Sequence, residues 1–288
     1  MGEYPDDLRK LVEDHLGRLS YSPRPETTGL EDAMRYSLLA GGKRIRPVLC
    51  LATGRALGIE PAALLPIASS LELIHTYSLI HDDLPAMDDD DLRRGRPTSH
   101  VAYGEDVAIL AGDALFAEAI RLACEQRGDS DDVLAAVREI AAATGVDGMV
   151  GGQYLDVIGG GDDSDSLRLL HSLKTGRLIA ASVAAPLALA ALPAEEEAPY
   201  RRFATELGLL FQIVDDILDV TGSDAELGKP SGSDERHGKV TYVSLYGLER
   251  ARGLAAESHQ KALASLSTAD GEITALHQIT DFIFTRTS

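Results

Sequence analysis

Apolar residues recur along this chain at the three- and four-residue spacing of helices, and no segment shows the alternation of a half-buried strand. An amphipathic segment covers 6–19. A second covers 28–40 and ends at Gly41-Gly42. Pro47 suits the first turn of a third helix that runs to Gly58. A fourth starts near Pro61, carries Leu71, Ile74 and Leu79, and stops at about Asp83, because Pro85 breaks it. Further helices are expected over 107–126, 131–146, 166–192, 198–220, 241–265 and 272–286, with polar loops at 87–100, 159–165 and 223–239. No fixed-period repeat and no linker divides the chain. The pattern predicts an all-α fold, one domain over 1–288, built as a single large helical bundle around a central cavity.

Two of these helices end in aspartate clusters. The first is Asp82-Asp83-Leu84-Pro85-Ala86-Met87-Asp88, continued by Asp89, Asp90 and Asp91; the second is Asp215-Asp216-Ile217-Leu218-Asp219. Asp215 and Asp219 are four apart and share a helix face, whereas Asp88 must return from the turn after Pro85. An acidic run is commonly a solvated face. Here both runs follow strongly apolar segments, 73–80 and 207–214, so the carboxylates should emerge at the rim of a cavity. Helix C-termini disfavour carboxylates, and bound cations would relieve that repulsion. Magnesium suits such a site, since it takes oxygen ligands, often one or two carboxylates per ion, and fills its shell with water and phosphate. The EF-hand spacing and its glycine are absent, which disfavours calcium.

Charge and composition narrow the partner. The net charge of −19 argues against nucleic acid, but not against an anionic substrate bridged by metal. With 44 % hydrophobic residues the chain can build a sizeable core. No run of roughly 18 apolar residues suggests a membrane span, and 1–10 is polar rather than leader-like, so a cytoplasmic protein is expected. Cys50 and Cys124 both lie in apolar runs and are expected to be buried free thiols. Of the 27 basic residues six are lysines, leaving 21 arginines, and four of the six lysines (Lys43, Lys174, Lys229, Lys239) stand in polar or glycine-containing turns. Gly41-Gly42-Lys43-Arg44-Ile45-Arg46-Pro47 offers backbone N–H groups and cations that suit phosphate. Arg93, Arg94 and Arg96 follow the first aspartate cluster, where a surface ion network is the plainer alternative.

Together the segments GGKRIRP (41–47), LELIHTYSLIHDDLPAMDDDDLRRGRPTSH (71–100), GGQYLD (151–156), LKTGRLI (173–179), FQIVDDILD (211–219) and GK…GK.TY (228–242) resemble the trans-polyprenyl diphosphate synthases, the bacterial farnesyl enzymes above all. The resemblance implies an isoprenoid synthase fold and a homodimer. It implies that Asp82, Asp83, Asp88, Asp215, Asp216 and Asp219 hold three magnesium ions, with manganese as a substitute. Those ions bind the diphosphate of an allylic substrate, with Arg93, Lys174, Lys229 and Lys239 completing the pocket. Lys174, Thr175 and Gln212 then stand beside the allylic carbocation that forms as diphosphate leaves. Isopentenyl diphosphate, by the same resemblance, binds without metal through Lys43, Arg46, His75 and Arg94, so that it is positioned and not ionised. A core histidine is the plainer reading of His75. Gln153 and Asp156 are either a polar helix face or supports for the site, and Arg286 is assigned nothing.

Product length in this family depends on the floor beneath the first cluster. Ser78 and Tyr77 precede Asp82 by four and five residues, roughly 6–7.5 Å down the helix. The aromatic Tyr77 points to a fifteen-carbon product, farnesyl diphosphate. A geranyl or geranylgeranyl product, a terpene cyclase or a non-catalytic subunit are the rivals. The GGKRIRP segment and His75 argue against a cyclase, and two intact aspartate motifs argue against an inactive subunit.

Overall fold

The structure is a computed structural model that describes residues 4–160, 163–222 and 239–286. The chain runs α1 (Asp6–Arg18), α2 (Thr28–Leu38), α3 (Ile45–Ala56), α4 (Leu65–Asp82), β1 (Leu92–Arg93), β2 (Arg96–Pro97), α5 (Ser99–Tyr103), α6 (Glu105–Ala123), α7 (Ser130–Thr144), α8 (Met149–Val157), α9 (Ser164–His171), α10 (Arg177–Ala190), α11 (Ala194–Thr221), α12 (Tyr242–Tyr246), α13 (Leu248–Leu266) and α14 (Thr274–Thr285). One cluster of buried apolar side chains draws members from Tyr4 to Ile283. α4 packs between α3 and α6, and α11 packs against α10 and α13.

α4 is the central helix. It is apolar on every side, as a helix surrounded by others must be, and it buries Ile67, Leu71, Leu73, Ile74 and Ile80. This corrects the expectation about membrane-length segments. Pro61–Asp82 and Ser164–Ala190 are both long and apolar enough to span a bilayer, each with mean hydropathy 1.3, yet 61 % and 56 % of their apolar windows are buried inside the bundle. Their hydropathy reflects core positions.

Several boundaries differ from the pattern, each for a local reason. The segment 166–192 forms α9 and α10 joined through a π-helical turn, Ser172–Gly176, which carries Lys174 and Thr175. The expected helix 241–265 is cut by Gly247, whose φ of 77° ends α12 before α13 begins. α8 was hidden by its glycines, which look like breakers. Gly152 is needed because a Cβ there would lie 2.1 Å from the Lys174 backbone nitrogen. The expectation of no strand is overturned by one short hairpin, with Arg93 opposite Arg96. Its turn residues Arg94 and Gly95 both have positive φ, 53° and 72°, as a type I′ turn requires. Strands of two residues are too short to show alternation. Cys50 is buried as expected, but Cys124 is exposed, because it lies just past the last turn of α6.

Candidate active site

The C-terminal ends of α4 and α11 meet over a cleft of about 790 Å³. Its wall includes Asp82, Asp88, Asp215, Asp216 and Asp219 from the two aspartate clusters, Lys174, Thr175 and Gln212 from the π turn and α11, and Lys239. Arg46, His75, Ser78, Arg93 and Arg94 line the same space. Asp83 is buried just behind the wall, gripped by the wall residue Arg93 through Nε at 2.8 Å and Nη2 at 2.6 Å. Lys43 is exposed and is not among the residues lining the cleft; its Nζ lies 5.3 Å from the centre of the Phe282 ring on α14. Lys229 falls outside the described residues.

Backbone bonds build the first cluster. The Asp83 N–H closes α4 on the Leu79 carbonyl, and Pro85 forces the chain out. The chain then folds back so that the Asp88 N–H donates to the Asp82 carbonyl at 2.9 Å. Asp89, with φ 53°, completes the reversal. Burial raises the carboxyl pKa of Asp82, helped by the charge of Asp88 and opposed by Lys174 and Arg93. Asp82 also accepts a short hydrogen bond from Gln153 Nε2.

Two lysines and Asp156 tie the clusters' surroundings together. Lys174 Nζ lies 2.6 Å from Asp156 and 3.8 Å from Asp82. Lys239 Nζ donates to both Asp88 oxygens at 2.8 and 3.0 Å and sits 3.2 Å from Asp156. Burial alone would raise the Asp156 pKa, but the charges of Lys174 and Lys239 outweigh it and hold Asp156 below the ordinary carboxylate value. Burial likewise works against the charge of Lys239, and Asp156 and Asp88 overcome it and raise its pKa.

The second cluster stands on one helix. Thr175 Oγ1 donates to Gln212 Oε1 at 2.9 Å, and Gln212 Nε2 donates to Asp216 at 2.8 Å, which fixes the orientation of the amide. Asp216 also accepts the Tyr242 N–H at 2.7 Å. Asp215 is half exposed and paired with Arg286 at 2.7 Å. The Arg286 guanidinium lies 4.3 Å above the Phe211 ring.

The other end of the cleft is basic. Gly42 has φ 126°, a conformation that favours glycine, and the Arg94 guanidinium packs 2.9 Å from where a Cβ would stand. Arg94 also donates a short bond to the Gly41 carbonyl. Burial lowers the pKa of Arg46 to about 10, which leaves it charged at neutral pH. Burial first, then Arg46 and Arg94, hold His75 well below its ordinary value and therefore neutral.

All donors in the aspartate clusters are hard oxygens. Among the described residues no three acidic or histidine side chains already form a metal cage. That donor set fits an ion that shares its shell with water and phosphate, as magnesium does, better than an ion caged by protein alone.

The family description "Polyprenyl synthetase" matches residues 27–280. The chain belongs to the polyprenyl synthetase family. It is a trans-prenyl diphosphate synthase, a prenyltransferase of isoprenoid biosynthesis. A farnesyl diphosphate synthase of Geobacillus stearothermophilus is 43 % identical over 99 % of this chain and 97 % of its own. A geranylgeranyl diphosphate synthase of Cyanophora paradoxa is 41 % identical over 98 % and 95 %. Among solved structures, a geranyltransferase from Helicobacter pylori complexed with magnesium and isoprenyl diphosphate superimposes with a TM-score of 0.84 at 34 % identity, covering 96 % of this chain and 94 % of that one. An FPP/GFPP synthase from Zymomonas mobilis gives 0.84 at 35 % identity over 97 % and 95 %.

Three residues in or around this polyprenyl synthetase cleft were not marked by the sequence. Arg286 had no motif around it. His171 lines the cleft 4.0 Å from Asp216 and stacks on Tyr242, but only its place three residues before Lys174 could have marked it. Arg44 lies in the GGKRIRP segment, but was not distinguished from its neighbours. Tyr77 is not among the residues lining the cleft; it packs edge-on against Phe116 of α6, ring centres 5.4 Å apart, while Ser78 stands on the wall.

Proposed function

We propose that this chain is a magnesium-dependent farnesyl diphosphate synthase that joins isopentenyl diphosphate first to dimethylallyl and then to geranyl diphosphate. The observation that carries this reading is the polarity of the cleft: aspartates at one end, Arg46, Arg94 and neutral His75 at the other. Asp82, Asp83, Asp88, Asp215, Asp216 and Asp219 would hold magnesium, whose chemistry is to stabilise the charge growing on a departing diphosphate. Lys174 and Lys239 add cations to the same diphosphate, and Arg93 orients Asp83. The allylic C–O bond breaks and its electron pair leaves with the diphosphate. The alkene of isopentenyl diphosphate then forms the new C–C bond, and the proton lost from the product passes to that diphosphate. Thr175 and the oriented Gln212 face the carbocation. Lys43, Arg46, His75 and Arg94 hold the second diphosphate without ionising it.

A second reading, a geranylgeranyl product, is favoured by one observation: the cleft wall one turn below Asp82 is the small Ser78, with Tyr77 set beside it against Phe116. Incubation with isopentenyl diphosphate and either allylic substrate, with and without magnesium, followed by product sizing, distinguishes the two. Fifteen carbons and an absolute metal requirement are expected. Tyr77→Ala should shift the main product to twenty carbons or more, and an unchanged product would remove Tyr77 from the floor.

A cytoplasmic homodimer, each chain one synthase domain, belongs to the same proposal. Ile109 and Phe116, seven residues apart on α6, are exposed together with Leu110, and suit burial against a second copy. The free thiols suit a reducing compartment.

A further inference from the structure

Arg44 stands inside the phosphate-suited turn, yet it points away from the cleft. It adopts a left-handed conformation, φ 53° and ψ 39°, at the start of α3, a strained choice for arginine. Its guanidinium is 1 % exposed and fully engaged. Nη1 donates to Glu72 at 2.7 Å, Nε to Glu13 at 2.8 Å, and Nη2 to the Leu38 carbonyl at 2.7 Å, which caps α2. The neighbouring Lys43 carbonyl is tied to the Tyr4 hydroxyl at 2.7 Å. Glu72 is 3 % exposed and lies one helical turn before His75 on α4, so the two share a face. Among charged groups, Glu72 acts most strongly on both Arg46 and Arg94. Arg46, by contrast, is buried, and its Nε makes no hydrogen bond among the described residues. A buried carboxylate that acts on the buried Arg46 and on the more exposed Arg94 would pair with them unless something else held it.

We infer that Arg44 is a positioning residue that holds Glu72 and so keeps it from pairing with Arg46 and Arg94, which a diphosphate then meets. This rests on the reading that the basic end of the cleft binds isopentenyl diphosphate. The second acid, Glu13, leaves Arg44 with more than one counter-charge, so Glu72 can be held while the cleft itself stays cationic.

The test measures KM for isopentenyl diphosphate and kcat, at saturating geranyl diphosphate and magnesium, in full-length variants, with thermal unfolding recorded for each. Arg44→Gln should raise KM about tenfold with little loss of kcat, because Glu72 turns to Arg46. Glu72→Gln should not raise KM, and Arg44→Gln combined with Glu72→Gln should bring KM back to within about threefold of wild type, even where both stay thermally weaker. Arg44→Lys keeps a cation on Glu72 and serves if Arg44→Gln does not fold; its KM should also stay within about threefold. A merely structural role predicts that KM follows stability, with Glu72→Gln as harmful as Arg44→Gln; that pattern, or a double variant as weak in KM as Arg44→Gln alone, overturns the inference. Arg46→Gln separates the underlying reading: if its KM is unchanged, the site assignment fails rather than the role of Arg44.

Discussion

The two ends of the cleft handle charge in opposite ways. At the acidic end Asp82, Asp83, Asp88 and Asp215 each meet a cationic side chain, Lys174, Arg93, Lys239 and Arg286 respectively. At the basic end the carboxylate that could do the same, Glu72, is held by Arg44. One end therefore rests with cations on its carboxylates, and under the proposed function these must be released as metal and diphosphate arrive. The other keeps its positive charge. The proposed reaction needs this difference, because of its two diphosphates only the one carried by metal is to leave.

The largest break in that comparison comes from the acidic end. Asp82→Ala or Asp215→Ala should lower kcat by at least about a thousandfold, the scale expected when charge stabilisation of a leaving group is lost. Steady-state kinetics at saturating magnesium checks it, and a near-normal rate in Asp82→Ala would contradict the assignment of the two ends. At the basic end the effect should fall on binding. Lys43→Ala or Arg46→Ala should raise KM for isopentenyl diphosphate roughly ten- to hundredfold, the worth of one or two charge-assisted bonds, with a smaller change in kcat. Should kcat fall instead, the basic end takes part in ionisation and the division fails.

The two ends also differed in how far the sequence disclosed them. The aspartate pairs were legible because apolar runs led into them, and the fold-back to Asp88 followed from Pro85. Helix existence was legible from periodicity, since burial of one face is what sets that period. What the chain concealed was the geometry set by close approach. Gly151-Gly152 looked like a break and is a helix pressed against the π turn. Arg94-Gly95 looked like loop and is a hairpin turn that carries a guanidinium over Gly42. Arg44 and Glu72 are 28 residues apart, and nothing local marks them as partners. Arg286 reaches Asp215 across 71 residues, which no local pattern shows. Tyr77 and Ser78 were counted down the helix together, and rotation about its axis sets Ser78 on the cleft wall and Tyr77 beside it against Phe116.

Acid should strain the basic end in a way it does not strain the acidic one. The folded protein holds His75 neutral, well below the ordinary value of 6.5, by burial and by Arg46 and Arg94. A depressed histidine means that the unfolded chain binds the extra proton. The stability His75 contributes is therefore fully present above about pH 6.5 and is lost as pH falls below it, by up to ~1.4 kcal/mol per pH unit. Urea unfolding of the metal-free protein at pH 7.5 and 5.5 should show the loss, and His75→Asn should shrink it. Equal acid sensitivity in the variant would mean that His75 is not the group responsible.

The smallest effect belongs to the contact that most directly sets the resting acidic end against metal. Arg286 pairs with Asp215 at 2.7 Å while its guanidinium stacks on Phe211, from the described end of the chain. Because Asp215 is half exposed, the pair contributes only about 0.5–1 kcal/mol. A proposed metal ligand held by a cation must be released before it can coordinate, so that energy is subtracted from metal affinity. Arg286→Gln should lower the magnesium concentration for half-maximal rate by about two- to fivefold, with the rate at saturation little changed. A magnesium titration of wild type and variant reads this directly. An increase in the magnesium requirement would mean that Arg286 acts on the bound diphosphate rather than on the empty carboxylate, and it would then belong with Lys174 and Lys239 as a cation the substrate keeps.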